Sequence, residues 1–94
     1  MTFGETVRKH REGKSLLLRQ VAAYLEVDTA FVSKVERGER KASRDQVVKL
    51  AEIFGTPSDA LMTIWLADRI SDTINNSKEG EEALKLVLKT YRNK

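Results

Sequence analysis

The sequence predicts an all-α protein, and three of its features support that prediction. Apolar residues recur three and four positions apart throughout the 94-residue chain, which is the spacing of one helix face. Glycine is sparse and stands at the breaks between apolar runs, as does Pro57, the one proline. No run shows the strict alternation of a half-buried strand. A chain of this length has room for one modest core.

Charge is distributed unevenly along the chain. Residues 1–46 hold ten Lys and Arg against seven Asp and Glu, whereas residues 47–94 hold seven of each, so the net charge of +3 belongs to the first half. A small basic domain is typical of proteins that bind polyanions. The absence of cysteine excludes disulfides and thiol chemistry. The chain also lacks a run of roughly 20 apolar residues and the apolar core of a signal peptide, so we expect a cytoplasmic location and no membrane partner.

Helix one is predicted over residues 3–12. Thr2 provides its N-cap, and Glu5 three residues later completes a capping box. Gly13 is the predicted stop. Helix two follows over residues 17–25, and its buried stripe is predicted to consist of Leu17, Val21, Ala22 and Leu25.

A short corner at residues 26–28 is predicted to join helix two to helix three, which covers residues 29–36. Val27 is the apolar plug of this corner. Asp28 is a favourable N-cap, and its negative charge also suits the helix dipole. Gly38 is expected to end the helix, whose inward-facing residues are predicted to be Val32 and Val35.

Helix four is predicted over residues 44–54. Ser43 and Gln46 form a second capping box. Gly55 directly follows the helix, at the position where a glycine often adopts the left-handed conformation and ends a helix. The predicted apolar face of this helix consists of Val47, Leu50, Ala51 and Phe54.

Two further helices complete the chain. Pro57 suits the first turn of helix five, with Thr56 as the cap, and the apolar spacing continues to Ile74. A polar break follows at residues 75–77. Ser77 is the predicted cap of helix six, over residues 78–91.

Helices two and three, joined by a short corner, have the organisation of a helix-turn-helix. The alternative is an αα-hairpin in a small helical bundle, and the spacing and the basic residues that follow favour the helix-turn-helix. In this motif the second helix lies in the major groove of DNA. Hydroxyl, amine and methyl groups on its outer face suit base edges, and the basic run behind it suits phosphates. The predicted contacts are Thr29, Ala30, Ser33 and Lys34 in helix three, and Arg37, Arg40 and Lys41 after it.

The segment QVAAYLEVDTAFVSKVERGERKASRDQVVKLAEIFGTPSDAL resembles the Cro/C1 (XRE)-type helix-turn-helix family, to which the lambdoid phage repressors belong. With helix one, the resemblance covers residues 3–61 and implies a five-helix lambda-repressor-like DNA-binding domain, to which helix six is added. It implies a transcriptional regulator that binds a palindromic operator as a homodimer, and an ion pair between Arg11 and Glu36. The matching positions are Val21, Ala22, Leu25, Val27, Val32, Ser33, Val35, Glu36, Gly38, Leu50, Ala51 and Leu61.

Several positions depart from the family pattern. Leu18 stands where the family often has a phosphate-binding Gln, so either that contact is absent or Arg19 or Gln20 supplies a substitute DNA contact. Ala30 offers no polar group at a position that often contacts a base. The prediction is therefore that the chain makes fewer base contacts than is usual in the family, or that base recognition depends more on Lys34 and on DNA shape.

Two further departures concern the backbone. Glu26 occupies a corner position where the family often has a left-handed Gly, and a side chain in that conformation costs about 1 kcal/mol. Ala42 replaces a frequent Pro after helix three.

Residues 62–94, which we call the C-terminal arm, carry more apolar residues than a monomer of this size needs in one core. We expect residues 1–61 to form the DNA-binding domain and the C-terminal arm to form a homodimer interface. The two helices three would then lie one DNA turn apart, about 34 Å. The alternative is that helix six folds back on its own domain. The predicted interface consists of Trp65, Ile70, Ile74, Leu84, Val87, Leu88 and Tyr91.

Two functional classes remain open at this point. The first is a sequence-specific DNA-binding repressor or autoregulator, of the prophage, restriction–modification or antitoxin kind. The second is a protein-interaction adaptor with the same fold. An enzyme is not predicted, because the chain has one histidine, no cysteine and no glycine-rich phosphate loop. His10 has no second ligand nearby, so no metal is predicted. No ligand-binding domain is visible in the sequence, so no cofactor or small-molecule ligand is predicted either.

Overall fold

A computed structural model describes residues 2–93 of the chain and contains six α-helices in that range. All six expected helices are present and no strand occurs among these residues, which confirms the all-α prediction. No helix in the same range is long and apolar enough to cross a bilayer. The helices are α1 (Phe3–Gly13), α2 (Leu18–Leu25), α3 (Thr29–Glu36), α4 (Arg44–Phe54), α5 (Ser58–Ile74) and α6 (Gly80–Arg92).

The capping boxes predicted for α1 and α4 are both formed. The Glu5 amide donates to Thr2 Oγ1 and the Thr2 amide donates to Glu5 Oε1, each at 3.1 Å. Ser43 and Gln46 exchange the same two hydrogen bonds at the start of α4. Such reciprocal bonds satisfy amides that have no partner within the helix, so they define where each helix begins.

Several predicted helix ends were wrong. α1 includes Gly13, and the backbone turns two residues later at Ser15, where φ is 55°. Leu17 stands at the N-cap position of α2 and is 48% exposed, so it does not belong to the buried stripe. Pro57 has extended backbone angles and occupies the N-cap position of α5, so Thr56 is not the cap.

α6 begins two residues later than predicted. Ser77 does not cap it; the Ser77 amide donates instead to the Ile74 carbonyl within the connecting turn. A Cβ on Gly80 would lie 2.7 Å from the same carbonyl oxygen, so only glycine allows α6 to approach α5 this closely. This close approach sets the angle at which α6 leaves α5.

The core lies among α1 to α4 and the first half of α5. Phe54, Leu50 and Leu61 are the largest fully buried side chains. Trp65 is also buried, and its Nε1–H donates to the Ala42 carbonyl oxygen at 2.9 Å. The prediction that Trp65 belongs to a dimer interface was therefore wrong, because the core of its own domain encloses it. The predicted boundary after residue 61 falls inside α5.

The C-terminal arm extends away from this core. Beyond Trp65, the described residues include no buried apolar side chain. The Cα radius of gyration is 15.0 Å, whereas a compact domain of this length has about 12 Å. α6 packs against α5. The chain is therefore elongated, and the apolar residues of the arm after Trp65 remain partly or fully accessible.

Candidate nucleic-acid interface

α3 is the element around which the candidate interface forms. It begins at the predicted N-cap, where Asp28 Oδ1 accepts a hydrogen bond from the Phe31 amide at 2.8 Å. Val32 and Val35 are buried against the core, as predicted. The opposite face of the helix is therefore directed to solvent, and it carries the exposed residues Thr29, Ala30 and Lys34.

The corner between α2 and α3 has the backbone conformation that the sequence comparison predicted. Glu26 lies in the left-handed region, with φ 58° and ψ 43°. The Val27 amide donates to the Ala22 carbonyl at 3.0 Å, which closes the end of α2. Val27 is half-buried, so it fills the corner as expected. This geometry fixes the angle between the two helices of the motif.

The start of α2 presents Arg19 and Gln20 on the surface. Gln20 Oε1 accepts a hydrogen bond from the Leu17 amide at 2.7 Å. This bond orients the side-chain amide and leaves its nitrogen as a donor for a phosphate oxygen. Leu18 is half-buried against the core and makes no polar contact. Arg19 and Gln20 therefore lie on the surface, where the predicted substitute contact requires them.

The residues that follow α3 form a cluster of cations, each held by a partner in the chain. Arg37 Nε donates to Glu39 Oε2 at 2.7 Å and its Nη1 donates to Ser33 Oγ at 2.6 Å. The bond from Arg37 lowers the pKa of Glu39. The Arg40 guanidinium lies 5.2 Å from the centre of the Phe31 ring, in cation–π contact.

Lys41 forms an ion pair with Asp72 of α5, and both side chains are more than half exposed. Asp72 could not be predicted from the sequence, because 31 positions separate the two residues and no local pattern links them. Asp68, one turn earlier, also reaches back, since its Oδ2 accepts a hydrogen bond from the Phe3 amide at 3.1 Å. Carboxylates of α5 thus hold both the start of α1 and the loop after α3.

A shallow depression of about 360 Å³ lies beside the exposed face of α3. It brings Lys34 next to Arg40, which is six residues away in sequence. The apolar part of its wall includes Ala30, one of the predicted DNA contacts. The lining residues are Val27, Asp28, Ala30, Phe31, Lys34 and Arg40.

An ion pair behind α3 holds its C-terminal end. Arg11 Nε and Nη2 donate to the two carboxylate oxygens of Glu36, at 2.7 and 3.2 Å, which confirms the pairing that the family resemblance implied. The hydrogen bond raises the pKa of Arg11. A Cβ on Gly4 would lie 2.5 Å from the Val35 carbonyl oxygen, so α1 touches the end of α3 directly. α1 therefore supports α3 from the side opposite its exposed face.

α2 and α3 are joined by a tight corner, and α3 buries one face against the core while its polar face is exposed. This arrangement defines a helix-turn-helix protein. A family model described as a helix-turn-helix domain matches residues 2–63, and the chain belongs to that family. The chain is 37% identical over 62 residues to the HTH-type transcriptional repressor RghR of Bacillus subtilis, covering 65% of this chain and 46% of that protein. It is 29% identical over 91 residues to an uncharacterised HTH-type transcriptional regulator, RghRB, of the same organism, covering 96% of this chain and 64% of that protein. The chain thus spans between about half and two thirds of these relatives.

Proposed function

We propose that this protein is a sequence-specific DNA-binding transcription regulator, a repressor or autoregulator, which binds a palindromic operator as a homodimer. The observation that carries the proposal is the exposed polar face of α3, continuous with the loop cations Arg37, Arg40 and Lys41. The printed names of the two relatives, a transcriptional repressor and a transcriptional regulator, support it.

α3 has the size and surface for direct contact with bases. Its eight residues span about 12 Å, close to the width of the major groove. Lys34 donates to guanine acceptors in this proposal, and the Ala30 methyl contacts a thymine methyl. Ser33 Oγ already accepts a bond from Arg37, so its hydroxyl hydrogen is directed to a base or phosphate acceptor. Thr29 stands at the start of the helix, where base contacts are usual in this motif.

Phosphate contacts on either side of α3 fix its position in the groove. Arg19 and Gln20 at the start of α2 serve one side, and the loop cations serve the other. A plot of log affinity against log salt concentration has a negative slope. Each phosphate that a Lys or Arg neutralises makes this slope steeper by about 0.9. The affinity should therefore fall steeply with salt.

A second copy of the chain is the proposed partner of the C-terminal arm. Ile70 is 49% exposed and Ile74 is half-buried on α5, and the apolar residues predicted for the interface on α6 are all exposed: Leu84, Val87, Leu88 and Tyr91. Dimerisation through the arm places two copies of α3 one helical turn of DNA apart, about 34 Å. An inverted repeat is the DNA sequence that matches this two-fold symmetry.

Selection of bound fragments from random DNA tests the proposal. We expect enrichment of one sequence with two inverted half-sites centred about 10 base pairs apart. Binding to it should weaken by several orders of magnitude between 50 and 200 mM salt. No enrichment at low salt would contradict the proposal and favour the protein-interaction adaptor. Enrichment of a single half-site would contradict the dimer alone.

Replacing Asp72 with asparagine should strengthen operator binding by up to about fivefold in each half-site. The exposed Lys41–Asp72 pair contributes about 0.2–1 kcal/mol, and a phosphate must replace Asp72 when Lys41 binds DNA. Fluorescence anisotropy with the selected operator measures the change. Glu79→Gln removes the same charge from the start of α6 and serves as the control. Equal effects of the two variants would contradict a specific competition for Lys41.

A further inference from the structure

α6 presents an apolar stripe to solvent. Leu84, Val87, Leu88 and Tyr91 follow the spacing of one helix face, and their exposed fractions are 37%, 60%, 44% and 71%. Gly80 is the single buried residue among those described in α6. A stripe of this kind on a soluble protein marks a surface that associates with a partner.

The charges of α6 are sorted along its length. Glu81 and Glu82 lie in the first turn, and Lys89 and Arg92 lie in the last turn. A second α6 laid parallel to the first brings like charges together. An antiparallel arrangement brings the acidic end of each helix beside the basic end of the other, so the charge pattern of the chain is complementary to itself in that orientation alone.

We propose that a second copy of this chain covers the apolar stripe, with the two α6 helices antiparallel about a two-fold axis near Val87. This inference deepens the homodimer part of the proposed function and rests on it. The axis follows from the stripe itself, since Val87 lies near the middle of Leu84, Leu88 and Tyr91.

The same axis aligns one specific ion pair. Glu81 lies six residues before Val87 and Arg92 five residues after it, so each is about 8–9 Å from the axis at 1.5 Å per residue. Eleven residues make about three helical turns, so both lie on the same flank of the stripe. Glu81 of one copy therefore meets Arg92 of the other, and the two-fold axis repeats the pair. Within the same chain, Lys85 Nζ lies 3.6 Å from Glu81 Oε1 and 3.5 Å from Glu82 Oε1, and both pairs are exposed. The two carboxylates differ in position, because Glu82 lies on the side of the helix away from the stripe.

Single cysteines test the orientation cleanly, because the chain has no cysteine of its own. Val87→Cys should oxidise to a disulfide-linked dimer, because two residues at the axis bring their Cβ atoms within the roughly 3.5–4.5 Å that a disulfide needs. Leu84→Cys should remain mostly unlinked, since its two copies lie about 9 Å apart along the helices. Non-reducing electrophoresis of the full chain without DNA measures both. Equal linking of the two variants would overturn the antiparallel orientation, and no linking of either at tens of micromolar would overturn self-association through α6.

Charge reversal tests the ion pair. Glu81→Arg and Arg92→Glu should each raise the dimer Kd about tenfold in analytical ultracentrifugation, because like charges then face each other twice. Mixing the two variants should restore the wild-type Kd, whereas Glu82→Arg alone should leave it within about twofold. A mixture no tighter than either variant alone would overturn the Glu81–Arg92 pair. Neither measurement uses DNA, so a failure of operator binding and a failure of this dimer are observed separately.

Discussion

Replacing Glu36 with alanine is expected to lower the free energy of unfolding by about 3 kcal/mol, because it leaves a mostly buried guanidinium without its carboxylate. The side chains of Arg11 and Glu36 are only 14% and 7% exposed, and two hydrogen bonds join them. Arg11 keeps its third contact, from Nη1 to the Leu16 carbonyl oxygen at 3.0 Å, which places the loss at the lower end of the range for broken buried pairs. Urea denaturation measures the change, and the melting temperature should fall by at least about 12 °C.

Glu39→Ala is the matched control for this experiment. It removes the same side chain from an ion pair three residues away, but Arg37 and Glu39 are each 54% exposed. An exposed pair contributes less than about 1 kcal/mol, so this variant should melt within a few degrees of the wild type. Equal losses in the two variants would show that burial of the Arg11–Glu36 pair is not what determines the effect.

Replacing both Lys34 and Arg37 with alanine should weaken operator binding at least about 100-fold. Lys34 is an exposed cation on the face of α3 that we propose contacts bases, and loss of one good base contact costs about 1–3 kcal/mol in each half-site. Arg37 supplies a phosphate contact in the proposal, so the slope of log affinity against log salt should also become shallower by about 0.9 in each half-site. Titration of the selected operator at several salt concentrations measures both quantities.

The double variant Lys9→Ala and Lys78→Ala removes the same charge from exposed positions on α1 and on the turn before α6. It should leave the affinity within a few-fold, since neither residue lines the depression beside α3 or belongs to the loop after it. Circular dichroism checks that both double variants remain folded. If the two double variants weaken binding equally, net charge and not the surface of α3 controls the affinity, and the assignment of Lys34 and Arg37 is wrong.

Features that depend on a few neighbouring residues could be predicted from the sequence. Asp28 caps α3 as expected, because an N-cap side chain bonds an amide three residues away. Local caps and apolar spacing predicted the bounds of α3. The family pattern predicted the left-handed backbone of Glu26. The start of α6 could not be predicted, because no side-chain bond caps that helix and the packing of Gly80 on Ile74 sets it instead.

The sequence by itself therefore determined the helices, the helix-turn-helix and the polar face of α3, since period and capping act within a turn or two of helix. The tertiary structure decided where the C-terminal arm meets the core. Trp65 lies in the core, where its indole N–H donates to the Ala42 carbonyl oxygen 23 positions away. Lys41 pairs with Asp72, which lies on a helix outside the motif. Contacts between residues so far apart depend on how the helices pack. Helical spacing shows that a face is apolar, but it does not show which element covers that face.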